Sequence, residues 1–427
     1  MYLCMKLIRM KEKLLQVAYA QKERILAQSG LIQRDIMPLA TEALLADNRV
    51  LVVTGMRRVG KSTLVQQLMA NVDSFCYFNF EDEKLLDFTV EQFGKLEETL
   101  IEVYGPAQYW FFDEIQNVAQ FELAIRRMQD NGKKIVLTGS NSSMLSMEFG
   151  SKLTGRYKQI ELFPFSFGEY LRFLNVSFGE KDFYLPESKV ILKNHFIQWM
   201  EKGGLPEYLR YNDTEYVRTL FDNILYRDII VRYGIRRHRE FRELVQLLVS
   251  NISSPVTFSS LQRSIGFSNS DTVKEYISYL SNAYVFYEMR QYHDSLKKQL
   301  RNPRKVYVND PAFHNLVGFS NSQNLGRKLE NAVYLALRRK SPELYSFNGK
   351  GECDFVFFDE QRKPNTIQVC YNLNSENEGR EMGGLSEAMN SFGLSSGLIL
   401  TFDQDFEIQK EGKSIPAIPV WKWLLGK

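Results

Sequence analysis

One segment, VLVVTGMRRVGKST at 50–63, constrains the fold of this chain more than any other. Four apolar residues lead into Gly55, and Gly60, Lys61 and Ser62 follow at the G-x-x-x-x-G-K-[ST] spacing of a phosphate-binding loop. Glycines let backbone N–H groups curl around a phosphate, and a helix that begins near Lys61 points its positive end at the anion. The flanking residues predict a strand before the loop and a helix after it. We therefore predict a nucleoside triphosphate site here, and the alternative is a chance Gly/Lys loop.

The residue types of the loop predict separate roles. Lys61 would reach the β- and γ-phosphates, and the Ser62 hydroxyl would ligate Mg²⁺. ATP and Mg²⁺ are thus the expected cofactors. The full set of predicted nucleotide contacts is Gly55, Arg57, Arg58, Val59, Gly60, Lys61, Ser62 and Thr63.

Two later apolar runs end in polar residues that belong beside this loop. YWFFDEIQ at 109–116 predicts a buried parallel strand, whose carboxyl end lies near a phosphate loop in open α/β sheets. Asp113 would ligate Mg²⁺ or lie in its second shell, and Glu114 would act as the general base on water. KKIVLTGS at 133–140 predicts a third strand. The residues after it either sense the γ-phosphate or simply cap the next helix through Ser140 or Asn141.

Composition sets the outer limits. The 427 residues suit two to four domains, and the net charge of +3 directs the protein to neither nucleic acid nor membrane as a whole. The four cysteines and four histidines are scattered without metal-type spacing, so we expect free thiols in a reducing compartment and no zinc site. The N-terminal residues predict an amphipathic helix rather than a signal peptide, and no apolar run reaches spanning length. We expect a cytoplasmic protein without a membrane partner.

The pattern along the chain predicts an α/β protein with several parts. An N-terminal helical segment (1–45) precedes a P-loop core (46–180) in which strands alternate with helices, which is typical of a parallel sheet. A helical lid (181–250), broken at GGLP, comes next. Helix, turn, helix and hairpin then follow in the order of a winged helix-turn-helix (251–318), and the last part (319–427) predicts a small α/β domain.

With these segments in view, the chain resembles a large group of bacterial and archaeal AAA-superfamily ATPases with a C-terminal domain of unknown function. The matching segments span about 49 to 371 and occur in one fixed order: TGMRRVGKSTL, FFDEIQ, VLTGSNSSML, LTGR, ELFPFSFGEYL, GGLPEYL, LYRDII, VYVNDPAF, LENAVYLALRR and CDFVF…IQVCY. The resemblance implies a strand inserted between the phosphate-loop strand and the Asp113 strand. It also implies that Asn141 senses the γ-phosphate. Arg156 would contact the phosphates, in cis or from a neighbouring subunit, unless it forms a surface ion pair with Glu161 or a similar acid.

The resemblance further implies a restriction-endonuclease-like core in the last domain. Such a core holds a divalent metal with carboxylates and uses a lysine beside them. Glu330 and Asp354 fit the acidic positions, but Gln368 replaces the third acid and Cys370 stands where lysine is expected. Lys350 is a candidate substitute from the neighbouring loop. We expect an inactive site, in a domain that binds or docks rather than cuts.

A basic segment at 290–305 predicts contact with nucleic acid along the phosphate backbone. It contains Arg290, Lys297, Lys298, Arg301, Arg304 and Lys305, against one acid, Asp294. A second basic group precedes the predicted winged helix, at Arg232, Arg236, Arg237 and Arg239. The alternative for the hairpin is a solvated edge that prevents aggregation.

Four functions follow from these features. The first is an ATPase whose nucleotide state repositions the winged-helix and C-terminal domains. The second is a nucleic-acid-binding effector of defence or genome maintenance, and the third is a metal-dependent nuclease. The last is a nucleotide-regulated scaffold for a protein partner or a second copy of the chain.

Overall fold

A computed structural model describes residues 2–27, 29–141, 155–318, 325–410 and 412–427. The chain divides into two compact units, Met1–Phe163 and Pro164–Lys427. The expected P-loop core at 46–180 is thus split, and the physical reason is local. Phe165 N donates to Gly204 O, and Trp199 Nε1 donates to Phe165 O, so the segment after Phe163 packs with the second unit.

The first unit alternates strands and helices. Its strands are β1 (Val50–Thr54), β2 (Phe75–Asn79), β3 (Tyr109–Asp113), β4 (Lys134–Gly139) and β5 (Tyr157–Glu161). Its described helices are α1 (Tyr2–Leu26), α2 (Met37–Ala46), α3 (Lys61–Met69), α4 (Phe93–Tyr104) and α5 (Phe121–Asp130). The part of the expected segment VLTGSNSSML after Asn141 lies outside the described residues, as do the first two residues of LTGR.

The five strands form one parallel sheet in the order β2-β3-β4-β1-β5. Strand β4 lies between β1 and β3, so the inserted strand that the resemblance implied is confirmed. Because the strands are parallel, their carboxyl ends meet at one edge, where Thr54, Asp113 and Gly139 end β1, β3 and β4. The chemically active segments of the sequence are therefore brought to this edge.

The core of the first unit explains why these elements form. Strands β1, β3 and β4 are almost completely buried. Their continuous apolar runs predicted this burial, which is typical of a parallel sheet covered on both faces. Helix α1 packs Leu14, Val17 and Ala18 into the same core. Its Gln21 exchanges hydrogen bonds of 2.9 Å and 2.8 Å with the backbone of Asn79, which ties the helix to the edge strand β2.

The second unit begins with helices, and its last element ends at Leu424. The helices are α6 (Phe167–Phe173), α7 (Pro186–Lys202), α8 (Pro206–Tyr211), α9 (Thr214–Asn223), a π-helix (Ile224–Val231), α10 (His238–Ser250), α11 (Phe258–Ile265), α12 (Ser270–Asn282), α13 (Leu296–Arg301), α14 (Pro311–Val317), α15 (Leu325–Lys340), α16 (Glu378–Ser391) and α17 (Val420–Leu424). The strands are β6 (Pro255–Val256), β7 (Phe286–Gln291), β8 (Arg304–Val308), β9 (Leu344–Asn348), β10 (Glu352–Phe358), β11 (Pro364–Cys370), β12 (Leu398–Thr401), β13 (Phe406–Lys410) and β14 (Lys413–Pro419).

These nine strands form a single mixed sheet, in the order β13-β14-β12-β11-β10-β9-β7-β8-β6. Helices α11 and α12 precede the antiparallel pair β7 and β8, which is the order expected for a winged helix. However, β7 also pairs in parallel with β9, with Arg290 opposite Tyr345. The sheet therefore crosses the predicted domain boundary at 318/319, so the winged-helix segment and the last segment share one sheet.

Local details follow from capping and turns. Helix α6 begins at Phe167, where Ser166 and Glu169 form a reciprocal capping box. Strand β5 ends at Glu161. The connection between β7 and β8 of the predicted hairpin is not a plain turn, since it contains α13.

None of the described helices is long and apolar enough to cross a membrane. Cys76, Cys353 and Cys370 are buried free thiols, as expected, whereas the side chain of Cys4 lies outside what the structure describes.

Candidate functional site

The phosphate-loop motif forms a tight turn between β1 and α3. Gly55 has φ +143°, and a Cβ on it would lie 2.3 Å from Leu162 O. Gly60, with φ +94°, is the residue before the first turn of α3. Arg58 also adopts a left-handed conformation, with φ +68°, which side-chain-bearing residues rarely adopt. The loop thus combines positive φ angles with a close backbone approach, a curved conformation of the kind that anion sites use.

Lys61 lies in the interior of this curve. The residue is 5% exposed, and its Nζ donates to Gly55 O and Met56 O, each at 3.2 Å. Its Nζ also lies 3.6 Å from Glu114 Oε1. The buried ammonium is therefore aimed at the mouth of the loop and at the predicted general base together.

The loop is supported by an arginine that the motif does not contain. Arg34, which is 3% exposed, donates from Nη1 to Val59 O at 2.9 Å and from Nη2 to Phe163 O at 2.6 Å. It joins the middle of the phosphate loop to the segment after β5. No sequence motif marks this residue, which lies in an irregular segment before α2.

Asp113 is completely buried at the end of β3. Its Oδ1 accepts the Thr138 hydroxyl, and its Oδ2 accepts Tyr77 Oη at 3.1 Å and Asn79 Nδ2 at 3.3 Å. Ser62 is hydrogen-bonded to the same carboxyl group. Burial and the neighbouring Glu114 raise the pKa of Asp113 above its ordinary value, and the hydroxyl contacts offset part of this rise.

Glu114 follows immediately, with a left-handed φ of +52°. Its backbone N donates to Thr138 Oγ1 at 2.9 Å, and its Oε2 accepts Gln116 Nε2. Burial by itself would raise the pKa of Glu114, but Lys61, then Gln116, hold it below the ordinary value. The pKa values of the two adjacent carboxyl groups are thus shifted in opposite directions. The lowered value suits Glu114 as an ionised base, while Asp113 is the carboxyl group expected beside the metal ion.

The other predicted residues occupy different places. Asn141 is 1% exposed, two residues beyond β4 at the carboxyl edge of the sheet, and Thr63 lies in the first turn of α3. Arg57 Nη1 is paired with Glu81 Oε1 at 2.9 Å. Gln116, Thr138, Tyr77, Asn79 and Arg34 complete the constellation. Gln116 and Thr138 lie in the quoted segments YWFFDEIQ and KKIVLTGS, whereas no pattern indicated the other three.

Arg156 does not lie at this edge. It precedes β5, its backbone O accepts Val50 N at the start of β1, and its Nη1 pairs with Asp130 Oδ1 at 2.6 Å. Five-residue parallel strands separate that amino edge from the phosphate loop by about 13 Å. A contact in cis with the phosphates is therefore wrong for this arrangement. The ion pair considered as the alternative does form, but with Asp130 rather than Glu161.

In the second unit the structure brings together the residues of the predicted relic nuclease site. Glu330 on α15, Asp354 on β10 and Gln368 on β11 line one cavity of about 680 Å³. Lys350 does not line it, and its backbone N instead donates to Glu387. The lysine that does line the cavity is Lys305 of β8, the last residue of the basic segment at 290–305.

The basic segment at 290–305 is only partly free for a ligand. Arg304 is buried and pairs with Glu288 Oε2 at 2.6 Å, and Lys305 pairs with carboxylates. The remaining cations of the segment are exposed: Arg290, Lys297, Lys298 and Arg301. In the second basic group, Arg237 and Arg239 pair with Glu240 and Glu243 at 2.8 Å.

Comparison with known proteins agrees with this geometry. The family described as AAA domain matches residues 47–171, and a domain of unknown function (DUF8612) matches residues 193–323. The second match follows the P-loop segment, as the resemblance implied, and it ends before α15. Fold and site together define an ATPase domain of the AAA P-loop class.

Two uncharacterized proteins match over most of the chain. It is 31% identical over 422 residues to "Uncharacterized protein MJ1544" of Methanocaldococcus jannaschii, covering 94% of this chain and 92% of that protein. The chain therefore belongs to the family of this archaeal protein. An uncharacterized protein of Haemophilus influenzae is 26% identical, over 71% of this chain and 78% of its own length. Among solved structures, the Walker-type ATPase PABY2304 of Pyrococcus abyssi is similar at 16% identity and a TM-score of 0.45, covering 67% of this chain and 95% of that one.

Proposed function

We propose that the first unit hydrolyses ATP to ADP and phosphate with Mg²⁺. The observation that carries the proposal is the buried triad of Lys61, Glu114 and Asp113 at the mouth of a phosphate loop. Lys61 supplies a desolvated positive charge to the β- and γ-phosphates. Glu114, kept ionised by Lys61 and Gln116, accepts a proton from the attacking water.

The oxygen donors present fit Mg²⁺, which prefers hydroxyl, carboxylate and water ligands. Ser62 would bind the ion directly. Asp113 already accepts Thr138, Tyr77 and Asn79, so it would hold the ion through a bound water rather than by direct ligation. Held by Ser62 and, through water, by Asp113, the ion would supply positive charge that offsets the negative charge of the phosphates. Gly55, Arg57, Arg58, Val59, Gly60 and Thr63 complete the proposed nucleotide site, with Asn141 as the γ-phosphate sensor.

Turnover and binding measurements on two variants test this proposal. Lys61→Ala should lose both ATP binding and turnover. Glu114→Gln should keep ATP binding and lose about 100-fold or more in turnover, since general-base catalysis contributes about 10²–10⁴-fold. The exposed Lys84→Ala and Glu98→Gln are the matched controls and should behave as wild type. Wild-type turnover in Glu114→Gln would remove the water-activating role.

We propose that Arg156 acts on the phosphates of a neighbouring copy. Its place at the amino edge, half exposed and paired with Asp130 by a surface contact, supports a role in trans. Turnover per chain should then rise with protein concentration in the wild type. Arg156→Ala should abolish that rise without changing ATP affinity, whereas a rise that persists would contradict the assignment.

The second unit is proposed to respond to the nucleotide. It comprises a helical lid, a winged helix-turn-helix and an inactive restriction-endonuclease-like part, and the shared nine-stranded sheet supports movement of the latter two together. Hydrogen exchange with and without a non-hydrolysable ATP analogue should change protection in β7 and β9 jointly. Independent responses of these two paired strands would contradict a common movement.

A second candidate function is contact with nucleic acid, and one observation favours it. Helix α13 carries Lys297, Lys298 and Arg301 on an exposed turn, free of the buried pairing that engages Arg304 and Lys305. Phosphate contact of this kind weakens steeply with salt. A triple charge reversal of the three residues should abolish low-salt binding of labelled duplex DNA. Unchanged binding would remove α13 as the contact.

A further inference from the structure

The cavity of the second unit contains an unexpected cation among the acids of the predicted metal site. Lys305 Nζ lies 2.9 Å from Asp354 Oδ1, 3.0 Å from Glu330 Oε1 and 2.7 Å from Glu352 Oε1. The lysine is 4% exposed. One ammonium thus contacts the carboxylates of α15 and β10 together, which is the place that a divalent cation takes in a carboxylate site.

Other donors of the chain also contact this acid set. Asp354 Oδ2 accepts Val369 N at 2.9 Å, and Glu330 Oε1 also accepts Tyr307 Oη at 2.7 Å. Gln368 Oε1 accepts Asp354 N at 3.1 Å, while its Nε2 donates to Glu381 Oε2 at 2.6 Å. With the side chains arranged as they are around Lys305, no group of three His, Cys, Asp or Glu among the described residues could hold a metal ion. The residues therefore do not fit the divalent metal that an endonuclease-like core implies.

Lys305 is held in position by the strand that carries it. Asn331 of α15 accepts Val308 N at 3.0 Å and donates to Val308 O at 3.2 Å, so β8 is fastened to the helix that supplies Glu330. Tyr307, two residues after Lys305, stacks on Tyr334 with ring centroids 3.9 Å apart. These contacts fix the distance between the lysine and the acids, so their pairing is a property of the packed core rather than of a mobile side chain.

The charges of the cluster agree with an internal cation. Burial alone would lower the pKa of Lys305, but Asp354, Glu330 and Glu352 raise it well above the ordinary value. Burial and Asp354 raise the pKa of Glu330 to about 8, although Lys305 opposes this rise. The ammonium of Lys305 thus lies within ion-pair distance of all three carboxylates at once.

We propose that the ammonium of Lys305 occupies the position of a divalent cation, so that the native cavity binds no metal and removal of this lysine uncovers a metal site. The lysine that an endonuclease-like core would carry on β11 is absent, and Lys305 of β8 enters the site instead. This lysine takes the place of the metal ion and does not act beside one. The cluster joins the winged-helix hairpin to the last α/β segment through charge. It makes this part of the protein a permanently closed carboxylate site.

Manganese binding to nucleotide-free, chelator-treated full-length protein tests the proposal, with calorimetry and Mn²⁺ electron spin resonance as readouts. Wild type and Asp354→Asn should bind Mn²⁺ identically, since any weak binding at the phosphate loop is common to both. Binding by the wild type that disappears in Asp354→Asn would overturn the proposal, and this comparison needs no lysine variant.

Lys305→Ala supplies the second comparison. It should gain about one Mn²⁺ per chain and a rise in melting temperature on adding Mn²⁺, and Lys305→Ala/Asp354→Asn should lose both. Lys297→Ala, on the exposed α13, is the matched control and should gain nothing. A folded Lys305→Ala that binds no more Mn²⁺ than wild type would overturn the claim that the lysine occupies a cation position.

Discussion

Lys61 and Glu114, 53 positions apart in the chain, form a buried pair in which Nζ lies 3.6 Å from Oε1. The same ammonium donates to two carbonyls of the phosphate loop. An arriving phosphate would compete with Glu114 for this ammonium, so nucleotide binding would release the carboxylate toward the attacking water. Under the proposed function, the pair would link the binding step to the catalytic step in one contact.

Gln116 is predicted to position the general base. Gln116→Leu should remove the donor to Glu114 Oε2 and lower kcat about tenfold, with little change in ATP affinity. Because Gln116 helps to lower the pKa of Glu114, the acid limb of the pH–rate profile should move upward in the variant. In the wild type the limb of the kcat/KM profile, which reports the nucleotide-free enzyme, should lie below the ordinary glutamate value of 4.5. Exposed Gln108→Leu is the control, and an unmoved limb would contradict the role.

Arg34 is predicted to maintain the shape of the phosphate loop. Arg34→Lys keeps the charge but cannot donate to Val59 O and Phe163 O at once. We expect KM for ATP to rise roughly tenfold, since one buried carbonyl loses its partner. Arg126→Lys, on the exposed side of α5, is the control. An unchanged KM in steady-state kinetics would show that the loop keeps its shape without this arginine.

Gly55 is predicted to tolerate no side chain. A Cβ there would lie 2.3 Å from Leu162 O at a φ of +143°, so Gly55→Ala should lower the free energy of unfolding by about 3 kcal/mol or more. Gly94→Ala in α4 meets no atom within 4 Å and should be neutral or slightly stabilising. Equal midpoints for the two variants in urea would refute the close approach.

Asp310 should make the stability of the second unit depend on pH. Burial raises its pKa to about 7, although Gly204 N and Ala312 N donate to the carboxyl group at 2.7 Å and 2.9 Å. Because the folded-state value lies above the unfolded one, its contribution is fully present below about pH 4 and is lost as the pH rises through 7. The loss is roughly 4 kcal/mol at most.

Thermal unfolding of wild type and Asp310→Asn from pH 4 to pH 8 measures the pH-dependent contribution of Asp310 to stability. The wild-type advantage over the variant should shrink as the pH rises, because only the wild type carries the titrating group. Asp359→Asn, in an exposed turn, is the control. A difference that stays constant or grows over this range would contradict the raised pKa.

The part of the site that is local in sequence was predictable. The spacing from Gly55 to Ser62 and the apolar runs before Asp113 and Thr138 each encode a strand followed by a loop, and parallel strands bring their carboxyl ends together. The inserted strand β4 came from the resemblance and is confirmed by the strand order.

The remainder depends on contacts that no local pattern records. Gln116 and Arg34 act through hydrogen bonds set by the packed turn, and Lys305 reaches acids 25 and 49 positions away through sheet pairing. In the sequence, Lys305 is one of six basic residues in the segment 290–305, and charge alone does not distinguish a solvated lysine from a buried one. Likewise, the parallel pairing of β7 with β9 joins the predicted winged-helix segment to the last segment, which the sequence pattern had assigned to two separate domains.

Calorimetric titration of the full-length protein with ATP and Mg²⁺, beside Lys61→Ala, tests the central claim most directly. The account predicts one ATP bound per wild-type chain, and none by the folded variant. Absence of any association by well-folded wild-type protein, or equal affinity in Lys61→Ala, would contradict it.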